Sequence, residues 1–110
     1  MKAKTYILYY EDPTTAKHAM HALFDAGIQR DNISFIEGQI PDEILRQPAI
    51  TLPDEQRSRF QSLLDQGGAM LAAWVMGAWR KRAQEVFYDY PPSKLEELQG
   101  RRFIGLRTRT

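Results

Sequence analysis

Residues 60–79, FQSLLDQGGAMLAAWVMGAW, form the longest apolar run in the chain. At about 100° per residue, many of its apolar side chains return to one face, which is the pattern of an amphipathic helix. The run therefore predicts a long central helix that begins near residues 51–54, where a threonine, a proline and acidic residues favour a helix start. Its core stripe consists of Phe60, Leu63, Leu64, Gly67, Leu71, Trp74, Val75 and Ala78.

Gly67 and Gly68 interrupt this predicted helix. Inside a helix each glycine costs about 1 kcal/mol relative to alanine, so a structural reason is needed for both. One interpretation is a kink or a junction between two helices. The other is a smooth patch where a second backbone packs closely.

The second half of the run is apolar on more than one side, which a helix buried on one face does not require. Exposed apolar patches of this kind mark interfaces, so the pattern predicts a homodimer contact. Its candidate residues are Met70, Trp74, Met76 and Trp79. A membrane span is disfavoured, because residues 69–79 fall short of the roughly 20 residues that a bilayer needs.

Composition places the chain among ordinary globular proteins. Its 110 residues, 43% of them hydrophobic and 26% charged, predict one domain over residues 1–110. The absence of cysteine excludes disulfides and thiolate catalysis. The first ten residues do not resemble a secretory signal, so a cytoplasmic location is expected.

Charge is divided unevenly between the two halves. Residues 1–56 carry five Lys/Arg and nine Asp/Glu, whereas residues 57–110 carry ten and five. Such asymmetry indicates either an anionic partner or attraction between the halves, within the fold or across a dimer. We favour the second interpretation.

The first third predicts a strand–helix–strand unit. Residues 5–10 are rich in β-formers, residues 13–26 form a helix capped by Asp12 and stopped at Gly27, and residues 32–37 form the second strand. A helical crossover makes the two strands parallel. They need not be adjacent, and a third strand between them gives the ferredoxin-like arrangement.

The rest of the chain is harder to assign. Three prolines predict a shaped loop over residues 38–53, with a weak edge strand near its end. Residues 83–90 fit either a continued helix or an extended segment. A short helix is expected over residues 93–99, and a final strand over residues 101–107.

The predicted fold class is therefore α+β: a ferredoxin-like open sheet with helices on one face. Pairing of the free sheet face with a second copy would give a dimeric α+β sandwich.

Three groups of side chains are candidates for chemistry. His18, His21 and Asp25 share one helix face and suit a divalent metal, although a solvated polar face explains them better. Tyr9 and Glu37 are candidates for a ligand pocket near the 38–53 loop, although core packing explains the tyrosine better. The basic candidates for nucleic-acid contact are Arg80, Lys81, Arg82, Arg101 and Arg102. The absence of an RNP-type strand disfavours nucleic-acid binding.

No catalytic motif stands out in the sequence. A nucleophile elbow, a phosphate-binding glycine loop and a telling acid pair are all missing. The chain is expected to be non-catalytic, with no cofactor.

After a first strand, the chain has an alanine-bearing helix with Ala16, Ala19 and Leu23, a glycine exit at Gly27, and a second strand that contains Ile33. In this pattern residues 5–38 resemble the small bacterial general-stress (heat-induced stress) domain family. The likeness extends to residues 67–77, where the glycines are sparser than in that family. It implies a stress-linked, non-enzymatic module with no catalytic residues.

Together these patterns predict a cytoplasmic, non-catalytic module that acts through homo-oligomerisation and protein or small-ligand binding. Alternatives are a small enzyme or ligand sensor with a pocket near the 38–53 loop, and a nucleic-acid-binding protein.

Overall fold

A computed structural model describes residues 3–40 and 54–99. These residues form an α+β fold in which three α-helices pack on an open four-stranded antiparallel sheet. Two 3₁₀ turns, Arg30–Asn32 and Gly77–Trp79, lie between the longer elements. In chain order the elements are β1 (Lys4–Tyr10), α1 (Pro13–Asp25), β2 (Ile33–Glu37), α2 (Asp54–Asp65), β3 (Ala69–Val75), α3 (Arg80–Asp89) and β4 (Lys94–Gln99).

The strand–helix–strand prediction for the first third is confirmed. The Asp12 side chain accepts a hydrogen bond from the backbone N–H of Thr14, and Gly27 follows α1 with φ +106°. The strands lie in the order β2-β3-β1-β4. Because β1 and β2 both run antiparallel to β3, they are parallel to each other with β3 between them. This is the arrangement that the ferredoxin-like prediction requires.

The predicted central helix is correct in its first part, Asp54–Asp65, and wrong over residues 66–79. Helix α2 ends at Asp65, and Gly67 takes φ +108°, a left-handed conformation that ends helices and suits glycine. The chain then enters β3, which pairs with β1 on one side and with β2 on the other. A Cβ at Gly68 would overlap the carbonyl oxygen of Tyr10 and the ring of Tyr9. Gly67 and Gly68 therefore mark a helix end followed by a close backbone approach.

The helical pattern misled because β3 is buried on both faces. Leu71, Ala73 and Val75 pack into one core, and Met70 and Ala72 pack into the other. A strand covered on both sides is apolar throughout, and a short apolar run of this kind cannot be told from a buried helix by its periodicity. Of the apolar residues that are in surplus on a helix, Met70 and Trp74 belong to the second face of this strand, whereas Met76 and Trp79 follow its end.

The helices cover both faces of the sheet. Helices α1 and α3 pack on the face that carries Tyr6, Leu8 and Tyr10. Helix α2 packs on the opposite face, where Phe60 and Leu64 join the second core. The prediction that all helices share one face thus holds for α1 and α3 only. The sheet face expected to meet a second copy in a sandwich is covered by α2 of the same chain.

The end of the described chain also differs from its prediction. Residues 93–99 were expected to form a helix, because Ser93 and Glu96 have capping-box spacing, but they form edge strand β4. The backbone N–H of Ser93 donates to Tyr9 O at 2.8 Å, which starts the pairing of β4 with β1. Residues 83–90 belong mainly to helix α3, which ends at Asp89. The expected strand at 101–107 and the proposed edge strand before residue 53 lie outside the described residues.

Gln61 fastens α2 to the end of β2. Its Oε1 accepts a hydrogen bond from the backbone N–H of Ile40 at 2.9 Å, and its Nε2 donates to Gly38 O at 3.0 Å and to Asp65 Oδ1 at 2.9 Å. Ile40 is itself buried in the core under α2. One amide side chain therefore fixes the start of the 38–53 loop against the helix that follows it.

Alanine substitution at Gly67 and Gly68 distinguishes the observed turn and strand from a continuous helix, because the free energy of unfolding changes in opposite directions in the two cases. In a helix, Gly67→Ala and Gly68→Ala would each raise the free energy of unfolding by about 1 kcal/mol. The structure predicts losses instead: about 1–2 kcal/mol at Gly67, where alanine would be forced to positive φ, and about 1–3 kcal/mol or more at Gly68 from overpacking. Urea denaturation measures both changes. Stabilisation by either variant would contradict the observed turn.

Gln61→Ala is expected to lower the free energy of unfolding by about 1–3 kcal/mol, because the largely buried N–H of Ile40 loses its acceptor. The matched control is Ser62→Ala, at the exposed neighbouring position of α2. That change is expected to stay within about 0.5 kcal/mol. Equal effects of the two variants in urea denaturation would show that the Gln61 network contributes nothing.

Candidate functional site

A cavity lies at the end of the sheet where β3 stops and β2 begins. Its volume is about 320 Å³. Three segments line it: the turn after α1, the 3₁₀ turn before β2, and the end of β3 with the turn that follows. The lining residues are Gly27, Ile28, Gln29, Asn32, Trp74, Val75, Met76 and Trp79.

The inner wall of the cavity is apolar and belongs to the core. Ile28 and Val75 are 5% and 1% exposed. Trp74 is partly buried and packs against the core on the α2 side of the sheet. Because these side chains are fixed by core packing, the inner wall is rigid.

The outer wall is formed by Trp79, which is 36% exposed. An added Cβ on Gly27 would lie 3.0 Å from Cζ3 of the indole, so the absence of a side chain at Gly27 lets the ring approach the backbone. The guanidinium of Arg82 lies 5.0 Å from the centre of the Trp79 ring, and Nη1 of Arg82 donates to Ala26 O at 3.3 Å. Gly27 and Arg82 thus hold the tryptophan at the mouth of the cavity.

The polar groups of the lining are two uncharged amides. Gln29 is the N-cap residue of the 3₁₀ turn Arg30–Asn32, and Asn32 is its last residue. The backbone N–H of Asn32 donates to Gln29 O at 2.9 Å, which closes the turn between the two residues. No side chain in the lining is an acid, a base or a nucleophile. The arrangement is suited to binding a molecule and offers no group for acid–base or covalent catalysis.

The residues predicted for an interface are only partly brought together. Trp74, Met76 and Trp79 meet at this cavity, and Met76 is 47% exposed at its rim. Met70 lies elsewhere, fully buried in the core under α2. Of the five other lining residues, Val75 is predicted only as part of the core stripe, and Gly27, Ile28, Gln29 and Asn32 are not identified as site residues from the sequence. The only sequence feature that marks their position is the glycine stop of α1.

Tyr9 and Glu37, the candidates for a pocket near the 38–53 loop, lie at the opposite end of the sheet. Tyr9 is buried in the core, and its phenol OH donates to Leu63 O at 2.9 Å. Glu37 is exposed at the end of β2, in register with Ala69. Residues 41–53 of that loop lie outside the described part of the chain.

His18, His21 and Asp25 are exposed on α1. The His21 ring packs edge-on against Phe24, with ring centres 5.7 Å apart. Within residues 3–40 and 54–99, no group of three His, Asp or Glu side chains lies close enough to hold a metal ion. The solvated-face interpretation agrees with this placement.

The cations Arg80, Lys81 and Arg82 form the first turn of α3. They oppose the dipole of this helix, because a helix N-terminus carries the positive end and this first turn contains no acidic residue. Arg101 and Arg102 fall outside the described residues. Nucleic-acid binding stays a prediction.

Three buried polar atoms have no hydrogen-bond partner within the described structure: Thr5 Oγ1, the Tyr6 hydroxyl and Arg80 Nε. None of these residues lines the cavity. Tyr10 is different, because its hydroxyl donates to Tyr90 O at 2.6 Å. Burial raises the pKa of the Tyr10 phenol well above its ordinary value. It therefore stays neutral and serves the core.

None of the helices in the described ranges is long and apolar enough to cross a membrane. No protein-family model matches the chain, and comparison with the curated proteins gives no significant match.

Proposed function

We propose that this chain is a non-catalytic cytoplasmic binding module that takes a small ligand into the cavity between Trp74 and the 3₁₀ turn Arg30–Asn32. The observation that carries the proposal is the cavity itself, with a rigid apolar inner wall, two amides and a half-exposed tryptophan at its mouth. The resemblance to the general-stress family supports a stress-linked role without catalysis.

The size and the lining of the cavity favour a small molecule. Small-molecule sites span about 300–1,000 Å³ and combine mainly apolar walls with a few placed polar groups. The present cavity lies at the lower end of that range. Its lining matches this description, since apolar side chains from Ile28, Val75 and Trp79 surround the amides of Gln29 and Asn32.

The two tryptophans of the chain both line the cavity, so their indole signals report on its lining. In ¹H–¹⁵N spectra of the labelled protein, a screen of small fragments of varied charge and shape is expected to find compounds that shift the two indole N–H peaks saturably. Trp79→Ala is expected to weaken the best compound about tenfold, because its stacking surface is lost. Binding is followed through the remaining indole peak.

The matched control is Tyr88→Ala, which removes an aromatic side chain that is 85% exposed on α3 and does not line the cavity. It is expected to leave the affinity unchanged. The proposal fails if no fragment moves the indole peaks of the folded protein. It also fails if Trp79→Ala and Tyr88→Ala weaken binding equally.

Homo-oligomerisation is the second part of the proposed function. Met76 and Trp79 form an exposed apolar rim, and such rims are used in contacts between subunits. Light scattering at high micromolar concentration is expected to give the mass of a dimer. Met76→Asp places a charge in the rim and is expected to give a monomer, whereas Tyr88→Asp, at an exposed aromatic outside the cavity, should not. A strict monomer in the unsubstituted chain would remove this part and leave ligand binding intact.

A further inference from the structure

We infer that the ligand of the cavity is an uncharged, planar heteroaromatic ring that carries a hydrogen-bond donor and an acceptor on one edge. The inference rests on the proposed function and specifies the class of molecule that the cavity takes. Three properties of the lining lead to it: its charge, its shape and its two amides.

The charge argument excludes ionic ligands. All eight lining residues are uncharged. An ion that enters a largely apolar cavity loses its hydration, and this loss is large unless an opposite charge compensates it. Two described cations have neighbours in the lining but do not line the cavity themselves. Arg82 contacts the Trp79 ring and Ala26 O, and Arg30 lies over the Phe24 ring. A carboxylate or an ammonium group inside the cavity would therefore lack a counter-charge in the lining.

The shape argument favours a flat ring. Aromatic rings pack well against flat aromatic surfaces, and tryptophan side chains on both the inner and the outer side of the cavity supply such surfaces. Met76 adds a thioether, which makes favourable contacts with aromatic rings. A volume of 320 Å³ at the lower end of the usual range accommodates one compact ring system better than a long flexible chain.

The amides set the hydrogen-bonding pattern. Each side-chain amide offers an N–H₂ donor and a carbonyl acceptor. In the described part of the chain, no hydrogen bond is made by the side chains of Gln29, which is exposed, and Asn32, which is half-buried, so both amides are open to solvent and to a ligand. A ligand that supplies a donor and an acceptor replaces water at these amides, with a modest net gain for each hydrogen bond. A ring edge with an adjacent donor and acceptor, such as a carboxamide or a nucleobase edge, fits this pair.

Three probes separate these arguments. Indole-3-carboxamide has the inferred properties, indole-3-carboxylate has the same shape with a charge, and cyclohexanecarboxamide keeps the amide without the aromatic plane. Titrations followed through the two tryptophan indole peaks are expected to show the indole carboxamide binding at least about tenfold more tightly than either of the others.

A pair of variants tests the amide. Asn32→Leu keeps a side chain of similar size without its hydrogen-bonding groups, and is expected to weaken indole-3-carboxamide about tenfold. Gln84→Leu removes an exposed amide on α3 outside the cavity and serves as the control. The affinity of this control variant for indole-3-carboxamide is expected to equal that of the unsubstituted chain. The thermal unfolding of both variants shows whether each is folded at the temperature of the titration.

The outcomes keep the two proposals apart. If the carboxylate or the cyclohexane amide binds as tightly as indole-3-carboxamide, or if Asn32→Leu has no effect, the inferred ligand class is wrong and the cavity remains a binding site. If none of the three probes binds but the fragment screen yields other compounds, the ligand class is again wrong. Failure of the probes and of the whole screen removes the proposed ligand binding as well.

Discussion

The fold depends on the burial of β3 between two strands and two layers of helices. Its backbone pairs with β1 and β2, and its side chains alternate between two cores. Six of its seven residues are fully or almost fully buried, which only small and apolar side chains in close packing permit. The turn that delivers the chain to this position needs glycine twice, at Gly67 for its φ and at Gly68 for the approach of the Tyr10 backbone.

The cavity is a consequence of how the chain leaves β3. After Val75 the chain leaves the sheet through Met76 and the 3₁₀ turn Gly77–Trp79, and this turn carries the indole of Trp79 to the backbone of Gly27. The end of α1 and the start of β2 lie at the same end of the sheet. Three connections therefore meet around one space, whereas at the other end Tyr9 is buried in a core already filled by α2 and Glu37 is exposed. The ends of secondary-structure elements, rather than their faces, provide the site.

The sequence predicts the N-terminal half of this architecture well because its signals are local. Asp12, Pro13 and Gly27 define α1, and the β-formers of residues 5–10 define β1 without reference to the rest of the chain. The same reasoning fails at residues 69–75, because burial on both faces removes the alternation that identifies a strand. It fails again at residues 93–99, where the pairing of β4 with β1 overrides a local capping pattern. For the site, the sequence identifies Trp74, Met76 and Trp79 as unusual, but it gives no indication of Gln29 and Asn32, since only tertiary packing brings them alongside.

At Arg82, tertiary contacts compensate for an unfavourable interaction with the dipole of its own helix. A cation in the first turn of α3 opposes the dipole of its own helix, an effect of about 0.3–1 kcal/mol at an exposed position. The same side chain reaches the carbonyl of Ala26 at the C-terminal end of α1, where a cation is favourable, and covers the ring of Trp79. A cation–π contact at an exposed site contributes about 0.5–1 kcal/mol, so the two tertiary contacts offset the local cost. Because Arg82 belongs to α3 and its acceptor belongs to α1, the position of the Trp79 wall depends on how these two helices sit relative to each other. Movement between α1 and α3 would therefore change the mouth of the cavity before it disturbed the rigid wall formed by Ile28 and Val75.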